Sequence, residues 1–156
     1  MLKFINAEAK HAELLRDTLI DSKSYWGYSQ EQLERWRSNL KFEEAYIARN
    51  TVKLIQRGEE VIGFFAIVKG DNDLPNKLDH FWLLPEVIGK GFGNQVFEQI
   101  LSECKPLNIR DFYVISDPDA EGFYLRKGAV KVGEVYSEPQ KRMLSKLLYS
   151  IAESIG

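Results

Sequence analysis

The sequence predicts an α/β (α+β) fold, with a mixed central sheet of six to seven strands flanked by about four helices. Three observations predict it. Apolar residues switch repeatedly between alternation and a spacing of about 3.6, so strands and helices are interleaved along the chain. The run Phe81-Trp82-Leu83-Leu84, closed by Pro85, is too short for a buried helix and reads as a central strand. Behind it, Gly89, Gly91 and Gly93 around Lys90 lead into one helical stripe of Phe92, Val96, Phe97, Ile100, Leu101 and Cys104.

Composition bounds the reading. At 156 residues the chain is expected to be a single domain, 1–156, with a sizeable core. Hydrophobic content of 44% and charged content of 28% are those of a globular chain. With 21 basic and 23 acidic residues, a net charge of −2 offers no field to recruit nucleic acid or an anionic membrane. The lone Cys104 excludes a disulfide framework and a cysteine metal cage, and no metal is expected. Cys104 lies on an apolar stripe, so it is expected to pack in the core. No signal peptide and no membrane-length apolar run is read, which makes the cytoplasm the expected compartment.

Taken in order, Leu2 to Ile5 reads as a first strand ending at Asn6. Glu8 to about Lys23 reads as a helix with Ala12, Leu15, Leu19 and Ile20 on one face. Ser22-Lys23-Ser24-Tyr25-Trp26-Gly27-Tyr28 fits neither period. Its aromatics either plug the core or, as loop residues on a rigid frame, wall a pocket. Ser29-Gln30-Glu31-Gln32 is a capping box opening a helix to about Asn39, with Leu33, Trp36 and Leu40 inward. Ala45 to Arg49 and Val52 to Arg57 then read as strand. Gly58-Glu59-Glu60 turns, and Val61 to Lys69 forms a long strand with a bulge at Gly63. Gly70 to Asn76 is a polar turn before the central strand.

After the glycine turn and its helix, Pro106 and Asn108 break the chain, and Phe112 to Ile115 is another buried strand. Asp117 as N-cap with Pro118 at the first helical position starts a helix that stops at Gly128. Ala129 to Tyr136 alternates, Glu138-Pro139-Gln140 turns, and a last segment runs from Met143 to about Ile151. Its spacing favours a helix.

A strand, a glycine turn and a helix start in succession direct free N–H groups and the positive helix end at one spot, which suits a phosphate. A dinucleotide fingerprint would need Gly-x-Gly-x-x-Gly, whereas Asn94 stands where the third glycine belongs. Ile88-Gly89-Lys90-Gly91-Phe92-Gly93 instead resembles motif A of the GNAT (Gcn5-related N-acetyltransferase) superfamily, Gln/Arg-x-x-Gly-x-Gly/Ala. Ile88 replaces the usual polar residue. Ala120-Glu121-Gly122-Phe123-Tyr124-Leu125-Arg126-Lys127-Gly128 resembles motif B of the same superfamily. The element order βααβββαβαββ is similar to the GNAT order from end to end. That order makes the last segment a strand, and strand is the expectation adopted. The Ser-Lys-x-x-Trp-Gly-Tyr segment resembles one branch of these proteins.

The resemblance implies an N-acetyltransferase that uses acetyl-CoA (coenzyme A) as co-substrate. An amine acceptor would attack directly in a ternary complex. Amides from Gly89 through Lys90, Gly91, Phe92, Gly93 and Asn94 would hold the pyrophosphate. Phe81, Trp82, Leu83 and Leu84 would lie along the pantetheine arm, and the N–H of Leu83 or Leu84 would meet the oxyanion. Tyr124 stands where the family's acid stands, protonating the departing sulfur. For the base, Asp79 matches a strand position that carries glutamate in several relatives. His80 offers a near-neutral imidazole on the opposite face. Deprotonation through solvent is a third route. Tyr25, Trp26, Tyr28 and Ser116 are the candidates for holding the acceptor, a small molecule or peptide. Relatives commonly form homodimers. A protein of this fold that binds acyl-CoA without transfer, as a sensor or partner subunit, is the rival reading.

Overall fold

The computed structural model describes residues 1–138 and 140–151, and among these it has seven strands and five α-helices. They run β1 (Leu2–Asn6), α1 (Ala12–Ser24), α2 (Gln30–Asn39), α3 (Glu44–Arg49), β2 (Thr51–Arg57), β3 (Glu60–Val68) and β4 (Lys77–Leu83). Then follow α4 (Phe92–Cys104), β5 (Asp111–Ser116), α5 (Pro118–Arg126), β6 (Val130–Ser137) and β7 (Arg142–Ser150). The strands form one sheet in the order β1-β2-β3-β4-β5-β7-β6. The expected mixed sheet is therefore present. Main-chain contacts divide the chain into two compact units, Met1–Ile67 with His80–Ile100, and Val68–Asp79 with the chain from Leu101 onward.

In the first unit, β1, β2 and β3 pair antiparallel. The register passes from Ile55↔Gly63 to Gln56↔Val61, leaving Ile62 as the extra residue beside Gly63. The bulge expected at Gly63 thus falls one residue away. Leu15, Leu19 and Ile20 of α1 and Leu33 and Trp36 of α2 bury against Phe64 and Ala66 of β3 and their neighbours. Each such large side chain contributes about 1.5–3 kcal/mol when fully buried. Ser29 caps α2 as expected, its hydroxyl accepting from the Gln32 N–H at 3.1 Å.

Two assignments change. The segment from Glu8 opens as a 3₁₀ turn at Ala9–His11, and α1 proper begins only at Ala12. Ala45 to Arg49 is not strand but lies in α3, whose end is tied by the N–H and side-chain amide of Asn50, both donating to the Tyr46 carbonyl. A short apolar run has no period of its own. Ile47 goes inward from the helix to pack in the same core as Phe42, which precedes α3, and that packing decides it.

In the second unit, β7 pairs antiparallel with β5 over Ser145–Ser150 and with β6 on its other side over Arg142–Leu148. The last segment is thus the strand that the family order implied. Its helical spacing loses because β7 completes two ladders at once. The polar turn is held by Asp71, whose carboxylate accepts from the N–H groups of Asp73 and Leu74. Asn76 bridges the Gly70 N–H and the Asp111 carbonyl. Pro139, in the turn read between β6 and β7, lies outside the described residues. Among the described residues no helix is long and apolar enough to cross a membrane.

Candidate active site

In the first unit the site is built from the end of β4 and the start of α4. β4 closes at Leu83, and a 3₁₀ turn at Pro85–Val87 carries the chain to the glycine turn. Gly89 and Gly91 both have φ +84°, in the left-handed region that a Cβ disfavours. No atom lies within 4 Å of where a Cβ would stand on either one, so the turn faces open space. From Phe92 the helix begins, and the N–H groups of its first turn have no intrahelical acceptor. An open glycine turn at the positive end of a helix fits a diphosphate in shape and in charge.

Along β4, neighbouring side chains alternate between faces. Phe81 and Leu83 share one face and are half-buried. His80 and Trp82 share the other, joined by the Trp82 indole N–H donating to His80 Nδ1 at 2.9 Å. Opposite β4, β3 comes so close that a Cβ on Gly63 would overlap the Trp82 carbonyl. The Leu84 N–H donates to the Ile62 carbonyl at 2.8 Å. This removes Leu84 from the two amides considered for the oxyanion, because its donor is already committed to the bulge residue of β3. Leu83 is left.

Of the aromatics in the Ser22–Tyr28 segment, Tyr25 and Trp26 pack edge-on against each other at 4.6 Å and are exposed. Tyr28 turns inward, edge-on to Trp36 at 4.8 Å. Tyr28, Trp36 and Trp82 surround the ammonium of Lys23, whose Nζ stands 5.4, 5.0 and 4.8 Å from their ring centroids. Lys23 is only 7% exposed. A cation over ring faces is attracted by their quadrupoles, most strongly where water is displaced. Sequence reasoning placed Tyr28 and Trp82 but missed Lys23 and Trp36 as parts of this box. A signal was there: Lys23 lies four residues after Leu19 and eight after Leu15, on the buried stripe of α1.

The second unit holds Asp79, Ser116 and Tyr124. Asp79 is exposed near the start of β4. Ser116 ends β5, buried, its hydroxyl donating to the Asp117 carbonyl at 2.9 Å. Asp117 stands at the N-cap of α5 but its carboxylate makes no capping bond, contrary to the expectation. Pro118 at the first position starts the helix without it. Tyr124, on α5, is buried edge-on to Phe123 at 5.4 Å. Burial first, and then the Asp117 carboxylate, hold its phenol well above the ordinary tyrosine range. Tyr124 therefore keeps its proton at any physiological pH. Cys104 is fully buried, which raises its thiol to about 11 and leaves no thiolate for chemistry.

The acetyltransferase (GNAT) domain family matches residues 26–144 of this chain. No curated protein matches the sequence. Among solved structures, the chain is similar to the PaiA N-acetyltransferase of Thermoplasma acidophilum in complex with coenzyme A. The two are 15% identical with a TM-score of 0.74 over 96% of this chain and 99% of that one. A GCN5-related N-acetyltransferase from Rhodopseudomonas palustris gives 18% identity and a TM-score of 0.73, over 97% of this chain and 95% of the other. A GNAT family acetyltransferase from Elizabethkingia anophelis with acetyl-CoA bound gives 11% and 0.66, over 96% and 98%.

Proposed function

We propose that this chain, which belongs to the acetyltransferase (GNAT) family, moves the acetyl group of acetyl-CoA to a primary amine by direct attack in a ternary complex. The observation that carries the reading is the open glycine turn at the head of α4, with Gly89 and Gly91 at φ +84° and clear space in front of them. When bound, the coenzyme thioester supplies the acetyl carbon, which forms a bond to the acceptor nitrogen as its bond to sulfur breaks. The Gly89–Asn94 amides hold the diphosphate, and Phe81 to Leu84 lie along the pantetheine arm. The Leu83 N–H faces the oxygen that gains negative charge, a role worth about 3–4 kcal/mol where the donor is preorganised.

Tyr124 gives its hydroxyl proton to the leaving sulfur. Its raised pKa keeps the proton in place before transfer but makes the phenol a weaker acid, so the role rests on its place in motif B and not on that shift. The amine must shed a proton to attack, because a lysine-like amine near pKa 10.4 is charged at neutral pH. Asp79 is the leading candidate to take that proton, with His80 and solvent as the other routes. Tyr25, Trp26, Tyr28 and Ser116 are assigned to the acceptor side. The Lys23 box supports Tyr28 there, because the box shares Trp82 with the strand that reads the coenzyme. The protein is read as a cytoplasmic single domain.

Acetyl-CoA at about a hundred times its Kd is expected to raise Tm by about 5 °C or more. No shift at millimolar ligand would refute the reading. Binding with no thioester consumed across a panel of amines would instead favour a non-catalytic acyl-CoA sensor. Tyr124→Phe is expected to lower kcat about 100-fold while coenzyme affinity stays put.

A further inference from the structure

We propose that Arg57, the last residue of β2, is a further coenzyme-binding residue: its guanidinium, held against Phe92 at the head of α4, pairs with a phosphate group of acetyl-CoA. This rests on the coenzyme binding at the glycine turn, as proposed above.

Arg57 belongs to neither motif, and the β2–β3 hairpin is what places it. β2 ends there, Gly58 turns with φ +62°, and β3 starts at Glu60, opposite Arg57 in register. The guanidinium carbon stands 5.1 Å from the centroid of the Phe92 ring. Phe92 directly follows Gly91 and is the first residue of α4. A charged side chain from β2 is thereby held beside the glycine turn, within the same compact unit.

Taken alone, that placement is unfavourable. The N-terminus of a helix carries partial positive charge, which repels a cation and attracts an anion. Among the described residues no carboxylate forms an ion pair with Arg57, its register partner Glu60 included. The Phe92 ring restrains the guanidinium through its quadrupole but offers no acceptor atom, so the fork of N–H donors of this exposed residue remains to be satisfied. An arginine fork matches the oxygens of a phosphate in shape as well as in charge. The amides of the turn supply dipoles and hydrogen bonds but no formal charge, whereas acetyl-CoA carries both a diphosphate and a ribose phosphate. Arg57 supplies the charge that the amides lack.

Titration calorimetry of the full chain with acetyl-CoA tests this. Arg57→Gln is expected to weaken Kd about 10-fold at low salt, the worth of a hydrogen bond between charged partners. At about 1 M salt, where the screening length is about 3 Å, the two proteins are expected to agree within about 3-fold. A fault in folding would lower affinity alike at both concentrations. An unchanged Kd at low salt, or a loss of the same size at high salt, overturns the proposal. Coenzyme A with and without its ribose phosphate tells which group is held. A loss kept in full without that phosphate assigns the diphosphate, and a loss that disappears assigns the ribose phosphate. Should Arg57→Gln fail to fold, Arg57→Lys decides, since it keeps the charge and gives up the fork. A loss of about 3-fold is then expected, and an unchanged Kd overturns the proposal. A protein that binds acetyl-CoA and transfers acetyl groups, with a Kd indifferent to Arg57, keeps its function and loses Arg57 from the site. Failure of the unsubstituted protein to bind acetyl-CoA overturns both.

Discussion

Lys23 shows how a single residue can sit against its usual preference. Lysine is almost never fully buried without compensation, yet here its charge is met by the faces of Tyr28, Trp36 and Trp82. A double-mutant cycle of Lys23→Met and Trp36→Leu is expected to return a favourable coupling of about 1 kcal/mol in urea unfolding. Zero coupling would mean that ammonium and ring are neighbours without attraction. Cys104 presents the opposite case, an ionisable group whose burial silences it. Its thiol is expected to resist a disulfide reagent at pH 8 for as long as the protein stays folded, and to react at once in denaturant.

At the scale of elements, the glycine turn and the β3–β4 contact use glycine for different reasons, and substitution separates them. At Gly91 there is room for a side chain, and only the backbone objects. Gly91→Ala is expected to cost about 1–2 kcal/mol, the price of a left-handed residue. At Gly63 the backbone is ordinary, but the Trp82 carbonyl and the Leu83 main chain stand where the methyl would go. Gly63→Ala is expected to cost more, about 3 kcal/mol, because neither neighbour is a flexible side chain that can swing aside. Calorimetric melting of the two variants checks the order; a larger loss at Gly91 would contradict it. Bulge, close approach and the Leu84–Ile62 bond together set the height of β4 against β3, and with it the place of the Leu83 amide.

For the whole molecule, the buried acids predict an alkaline weakness. The unfolded chain releases the Cys104 proton near 9.0, while the native state holds it until about 11. Between those values the unfolded state binds fewer protons, so stability falls as pH rises. Tyr124 continues the same sign at higher pH, since its phenol is raised from 10.0. The urea midpoint is expected to drop between about pH 8 and about pH 10.5, and Cys104→Ala to flatten the early part of that fall. A midpoint level across this range would show that neither group keeps its proton on folding.

Sequence by itself determined the alternation of strands and helices, the glycine turn before α4, and the start of α5 at Pro118. Each of these rests on local chemistry: a repeat of apolar residues, a missing Cβ, a locked φ. Tertiary structure decided what depends on partners distant in the chain. Ala45 to Arg49 became helix because Ile47 had a core to enter, and β7 became strand because two ladders claimed it. Leu84 lost its free amide to Ile62, and Lys23 came to rest among rings from α2 and β4. No window of neighbouring residues contains those encounters, since the contacts that fix them join residues far apart in the chain.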